Sequence, residues 1–81
     1  MPTFSVIPIS TTNPNPDIQA IIGRKGSLKV NFGSSAIFEE YTSSYFIVTS
    51  IVLELSTQGD MLTVTTKNSK YVFRIISDTK P

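Results

Sequence analysis

The chain has 81 residues, with seven Lys and Arg against six Asp and Glu for a net charge of +1, and neither Cys nor His. That length holds one small core and leaves little room for a deep catalytic cleft, while the missing Cys and His remove disulfides and the ligands that dominate zinc and copper sites. A charge so near zero excludes the long-range field of a dedicated duplex-DNA binder and leaves open only a local basic patch.

Residues 4–9 predict a first strand with Phe4 and Val6 on one face. Pro8 lacks the N–H that a central strand would donate, which makes a lone edge strand the expectation. The run Asn13-Pro14-Asn15-Pro16 then forces a loop over residues 11–17, because each residue before a Pro is pushed out of the helical region. From Ile18 two readings fit. In one, Asn15 caps a helix, Pro16 takes its first position, Asp17 complements the N-terminal dipole and Gly23 ends it. In the other, residues 18–22 are a strand and Gly23-Arg24-Lys25-Gly26 is its turn. Either way residues 27–32 read as a strand, with Leu28, Val30 and Phe32 on one face.

Residues 33–35 are a break. Residues 36–41 fit one or two helical turns opened by Ser34 or Ser35, and equally a strand. The polar residues 42–44 turn the chain into residues 45–56, one long strand bent near Thr49-Ser50. Thr57-Gln58-Gly59-Asp60 and Lys67-Asn68-Ser69-Lys70 close two hairpins, since Gly and Asn tolerate the positive φ of tight turns. Along these strands Ile51, Leu53 and Leu55, then Leu62 and Val64, then Tyr71, Phe73 and Ile75 recur with the period of two that puts one face on a core. Residues 1–3 and the polar tail 77–81 are expected to fray. With no repeat and no linker, the expectation is one domain over residues 1–81. It is mainly β, a small antiparallel curled sheet or partly open barrel with at most one or two short helices.

Eleven Ser and ten Thr fit hydroxyls dressing the solvent face of strands. The first ten residues carry no basic leader or cleavage pattern, so no signal peptide is expected. The longest apolar run, residues 45–48, is far short of the roughly 20 residues a membrane helix needs. No membrane association is expected, and a cytoplasmic setting is, the host cytoplasm if the source is viral.

Ile21-Ile22-Gly23-Arg24-Lys25-Gly26 resembles the Gly-x-x-Gly loop of KH-type RNA-binding domains, which implies backbone amides and basic residues clamping a nucleic acid. That family's loop joins two helices, whereas here a strand-like alternation follows, so a basic turn between two glycines is the better account. Arg24, Lys25 and Lys29 form the densest positive cluster and are the candidate anion or nucleic-acid contacts, with Lys67 and Lys70 as further cations. Thr49-Ser50-x-Val52 followed by Thr66-x-Asn68-Ser69-x-Tyr71 resembles short uncharacterised bacterial and bacteriophage proteins, a resemblance that implies a small β-domain and no activity.

Catalytic chemistry through His or Cys is impossible, and Glu39-Glu40 is the one adjacent carboxylate pair. On a strand those two point to opposite faces. No catalytic, cofactor-binding or metal-ligating residue is expected, no cofactor, and no enzyme activity. Phe32, Phe38, Tyr41, Tyr45 and Phe46 crowd the middle of the chain, and Phe38, Tyr41 and Tyr45 are the candidate partner-binding residues. The expected function is a non-enzymatic protein-binding module that occupies a partner's surface through an exposed strand edge or this aromatic patch, as small microbial or bacteriophage accessory and inhibitor proteins do. The alternatives are a small β-barrel that binds nucleic acid through its basic turn and a structural subunit that forms homo-oligomers.

Overall fold

The structure, a computed structural model, describes residues 3–31, 33–43 and 45–78. The strands are β1 (Thr3–Thr11), β2 (Gly26–Lys29), β3 (Ser35–Glu40), β4 (Phe46–Gln58), β5 (Met61–Thr66) and β6 (Lys70–Asp78), with a helix α1 (Pro16–Gln19) between β1 and β2. Each strand pairs antiparallel with the next, and β6 pairs back to β1, so the sheet closes in a ring. The mainly β expectation holds: one antiparallel six-stranded sheet curls until it closes in a ring, with one short helix among the described residues. Thr3, Ser77 and Asp78 are paired with Lys29, Ser5 and Phe4. The other terminal residues, together with Phe32 and Ser44, lie outside the described residues.

β1 is not a lone edge strand, because it sits between β2 and β6. Pro8 is tolerated there for a local reason. Its carbonyl accepts from Gly23 N–H at 2.8 Å, on the side away from β6, so the missing N–H also falls on that side, beyond the last β2 pair at Val6. Of the two readings for residues 18–22 the helical one is correct at its start: Asn15 Oδ1 accepts from Asp17 N–H at 2.9 Å and Pro16 opens the helix. The helix is only four residues long. It continues as tight turns in which Ile21, Ile22 and Arg24 each donate to the carbonyl three residues back, and Gly23 follows with a φ of +84°. Of residues 36–41 all but Tyr41, which begins the following turn, resolve as strand, with Ala36, Phe38 and Glu40 pointing inward.

Around the ring, Val6, Leu28, Ala36, Ile47, Val52, Leu62, Val64 and Phe73 fill one interior, and Ile21 joins them from the turn after α1. Phe73 stacks on Phe38 and on Tyr71, each pair with ring centroids 6.3 Å apart. The alternation expected over β5 and β6 is observed at Leu62, Val64, Tyr71 and Phe73, which are buried, and Ile75, which is half-buried. On β4 it fails: Ile51 and Leu53 face solvent. Between the pairs Ile37↔Val48 and Ser35↔Ile51 β4 has one residue more than β3, a bulge at Thr49–Ser50 that reverses the faces and turns Val52 inward in place of Ile51. A second irregularity at Leu53 restores the inward side to Leu55, opposite Val64, where it stays 36% exposed.

Residues of the microbial resemblance meet at this bulge. Ser50 Oγ donates to Thr66 Oγ1 at 2.8 Å and accepts from Asn68 N–H, Thr66 Oγ1 accepts from Ser69 N–H, and Thr49 Oγ1 accepts from the buried Ala36 N–H at 2.9 Å. These hydroxyls fasten the bend in β4 to the β5–β6 turn, which is a structural role. Thr66 is buried, so Thr66→Val strands the Ser69 amide and should cost about 1–3 kcal/mol in chemical denaturation. Gly26 is required by space, because a Cβ there would strike the Glu39 carbonyl and come within 2.6 Å of the Phe38 ring. Gly26→Ala should lower stability by about 1–3 kcal/mol in the same measurement.

Candidate partner-binding surface

The bulge that turns Val52 inward leaves several apolar residues of β4 outside, while Ile47 and Thr49 stay buried. Phe46, Val48, Ile51 and Leu53 on β4, with Ile37 on β3, are between 40% and 59% exposed. The strand register gathers them, since Ile37 lies directly across from Val48, and Glu39 and Ser35 lie across from Phe46 and Ile51. Lys29 on β2, paired with Ile37, bounds the strip on one side, and Glu39 bounds it beside Phe46. Polar residues are what an exposed strand face ordinarily carries, and the outer face of β5 shows them at Thr63 and Thr65. Five apolar side chains clustered on two paired strands form an unusual surface for water to cover.

The aromatic patch expected around Phe38 is not assembled. Phe38 is an inward residue of β3 with no exposure, held against Phe73, and presents nothing to a partner. Tyr41 and Tyr45 are exposed but committed: the Tyr41 hydroxyl bonds Ser5 Oγ, and the Tyr45 hydroxyl donates to the Asp17 carbonyl at 2.7 Å, tying the turn before β4 to α1. Phe46, next in sequence, is 59% exposed and has no side-chain polar group to commit. The aromatic run alone does not single it out; the alternation that sets Ile47 inward sets Phe46 outward, and the extra residue at Thr49–Ser50 inverts only the positions that follow it.

The basic cluster is also divided. Arg24 Nη1 donates to Glu40 Oε2 at 2.8 Å and Arg24 Nε to the Ala20 carbonyl at 3.3 Å, so its charge is matched within the fold. Lys25 and Lys29 are exposed and make no ion pair among the described residues. Lys29 stands on the strand bordering the apolar strip, apart from the turn that carries Lys25. Gly23 to Gly26 joins a short helix to a strand, so the KH-like hexapeptide lacks the two helices that its family places around that loop.

Glu40 takes an inward position at the rim of the ring, only 6% exposed, and lines a cleft of about 510 Å³ with Asp17, Ala20, Arg24, Ser43 and Tyr45. The Ser43 hydroxyl donates to Oε1, and Arg24 serves Oε2. The Glu40 carboxylate and the Arg24 guanidinium are therefore matched by each other, and the cleft docks α1 against the β3–β4 turn. Glu39 points to the opposite face, as expected for adjacent residues on a strand. Among the described residues, no three carboxylates converge as ligands for a metal ion. No protein-family model, curated protein or solved structure matches this chain.

The hydrogen bond from Ser43, with the bond and charge of Arg24, holds the Glu40 carboxyl below its ordinary value, and the bond that Arg24 donates to Glu40, with that carboxylate's charge, raises that of the Arg24 guanidinium. In acid the unfolded chain consequently binds more protons at this position than the folded one, so stability rises with pH there. The contribution is complete above the ordinary carboxyl value near 4.5 and is lost as pH falls through the lower folded value. Thermal melts taken through that acid range should show a steeper loss for the wild type than for Glu40→Gln, whose melting temperature should depend less on pH by the effect of one carboxylate.

Proposed function

We propose that this chain is a non-enzymatic protein-binding module that acts by occupying the surface of a partner, in the manner of small microbial or bacteriophage accessory and inhibitor proteins. The observation that carries the reading is the exposed strip of Ile37, Phe46, Val48, Ile51 and Leu53. It replaces the Phe38-centred patch as the contact surface. Interfaces gain most of their affinity from a few apolar or aromatic anchors that leave water on binding, and Phe46 at the head of β4 is such an anchor. Arg24 being matched by Glu40 weighs against the nucleic-acid alternative, which needs cations free to face phosphates. A cytoplasmic setting belongs to the same proposal. It is supported by the cysteine-free sequence, and no described helix is long and apolar enough to cross a membrane.

The double variant Phe46→Glu, Val48→Glu tests the surface without touching the interior. Both side chains face solvent, so circular dichroism should show an unchanged fold. Affinity for the protein captured stoichiometrically by the wild-type chain should fall by at least about 30-fold, the equivalent of one interface hot spot of about 2 kcal/mol. Capture of that protein at undiminished affinity by the folded variant overturns the assignment.

A further inference from the structure

β4 is 13 residues long, yet each neighbour takes only part of it: β3 pairs from Phe46 as far as Ile51, and β5 from Val52 to Gln58. Beyond Val52, the edge that faced β3 runs on with no strand beside it among the described residues. The hairpin determines which groups that edge presents. A two-residue connection makes its flanking residues, Gln58 and Met61, a hydrogen-bonded pair. Ser56 and Glu54 therefore also turn N–H and C=O toward β5, and Leu55 and Thr57 turn theirs away. Two bonds on the β6 side of β5 agree with this phase, Ile75 N–H to Asp60 O at 2.6 Å and Thr66 N–H to Ser69 O at 2.8 Å. Nearer the ring the free side of β4 is satisfied: Val52 C=O accepts from Gly33 N–H and Val52 N–H donates to Ser34 O at 2.9 Å. Leu55 and Thr57 have no such partner among the described residues.

We propose that this edge pairs with the same edge of a second copy of the chain, antiparallel across a two-fold axis at Ser56. Leu55 of one protomer then exchanges both N–H···O bonds with the partner's Thr57, and Thr57 does the same with the partner's Leu55. A second copy fits because the donor and acceptor pattern of Leu55 and Thr57 is its own complement in the antiparallel sense. Charge agrees: Glu54, the one charged residue between 53 and 58, meets the partner's Gln58 in this register and never another Glu54. The segment also lacks the Pro and Lys that blunt natural strand edges. Leu53 and Leu55, both exposed in the single chain, border the contact. This inference is independent of the outer-face reading, since it uses the backbone edge of β4 beyond Val52 and not the side chains of Phe46 and Val48.

Sedimentation velocity on the full chain, from low micromolar to several hundred micromolar, should show the mass double as concentration rises. Thr57→Pro removes the outward N–H while leaving every β4–β5 bond in place, and an extended edge position accommodates proline. This variant should remain monomeric where the wild type is dimeric, whereas Phe46→Glu, Val48→Glu should still dimerise. A wild type that stays monomeric throughout overturns the proposal, as does a folded Thr57→Pro that still dimerises. So does a dimer lost only in the outer-face variant, which would assign self-association to the strip instead. If Thr57→Pro fails to fold, amide hydrogen exchange of the wild type decides: Leu55 and Thr57 should gain protection with concentration, and exchange independent of concentration overturns the pairing.

Discussion

Pairing of β6 with β1 closes six strands into a ring, and so small a ring bends its strands more sharply than regular pleating permits. The bend is taken up by single extra residues: Ile76 in β6 opposite Ser5 and Val6, Ile9 in β1 beside Pro8, the Thr49–Ser50 region of β4 and Leu53 a few residues on. Ile9, Leu53 and Ile76 are exposed even though they are apolar, because the extra residue of a bulge falls out of the inward sequence. The interior that results is narrow. Phe38, Phe73 and Tyr71 stack through it, and Gly26 and Ala36 allow backbone and rings to approach closely.

Closure also decides where a partner can meet the chain. A continuous ring removes the outer strands that an open sheet would offer, so binding surfaces must come from an outward face or from a strand that outruns its neighbours. The wall formed by β3 and β4 supplies the first, with apolar residues at positions where β5 carries threonine. β4 supplies the second, because β3 ends seven residues before it does, as measured from the Ser35↔Ile51 pair to Gln58. Both features trace to the length and bending of one strand.

Local features were legible in the sequence wherever neighbouring residues decide conformation. Asn15-Pro16-Asp17 starts a helix because a side-chain acceptor, a fixed φ and an acidic residue act within one turn. Gly59-Asp60 closes a hairpin, and Leu62, Val64, Tyr71 and Phe73 share a face because β5 and the adjoining half of β6 run without a bulge. Ring closure was not legible, since Phe4 and Asp78 say nothing of the pairing they make across the whole length of the chain. The faces of β4 were misassigned for a related reason. The bend near Thr49-Ser50 is visible as a polar interruption, but its effect on register depends on how many residues β3 places opposite it. The candidate surface was misread separately: Phe38 and Phe46 belong to the same aromatic run, and the inward side of β3 and the outward side of β4 part them.

The extra residue at Thr49–Ser50 makes inside and outside on β4 a matter of phase and not of composition. Ile47 and Val48 are nearly alike in hydrophobicity, as are Ile51 and Val52, and each pair is split between interior and solvent by parity alone. Exchanging one of these aliphatic residues for another leaves that division intact, while a one-residue change in length between Val48 and Ile51 transposes it from that point on. Change at this surface is thereby graded for substitutions and abrupt for insertions and deletions, so the apolar strip can be tuned residue by residue only while the length of the bulge is kept.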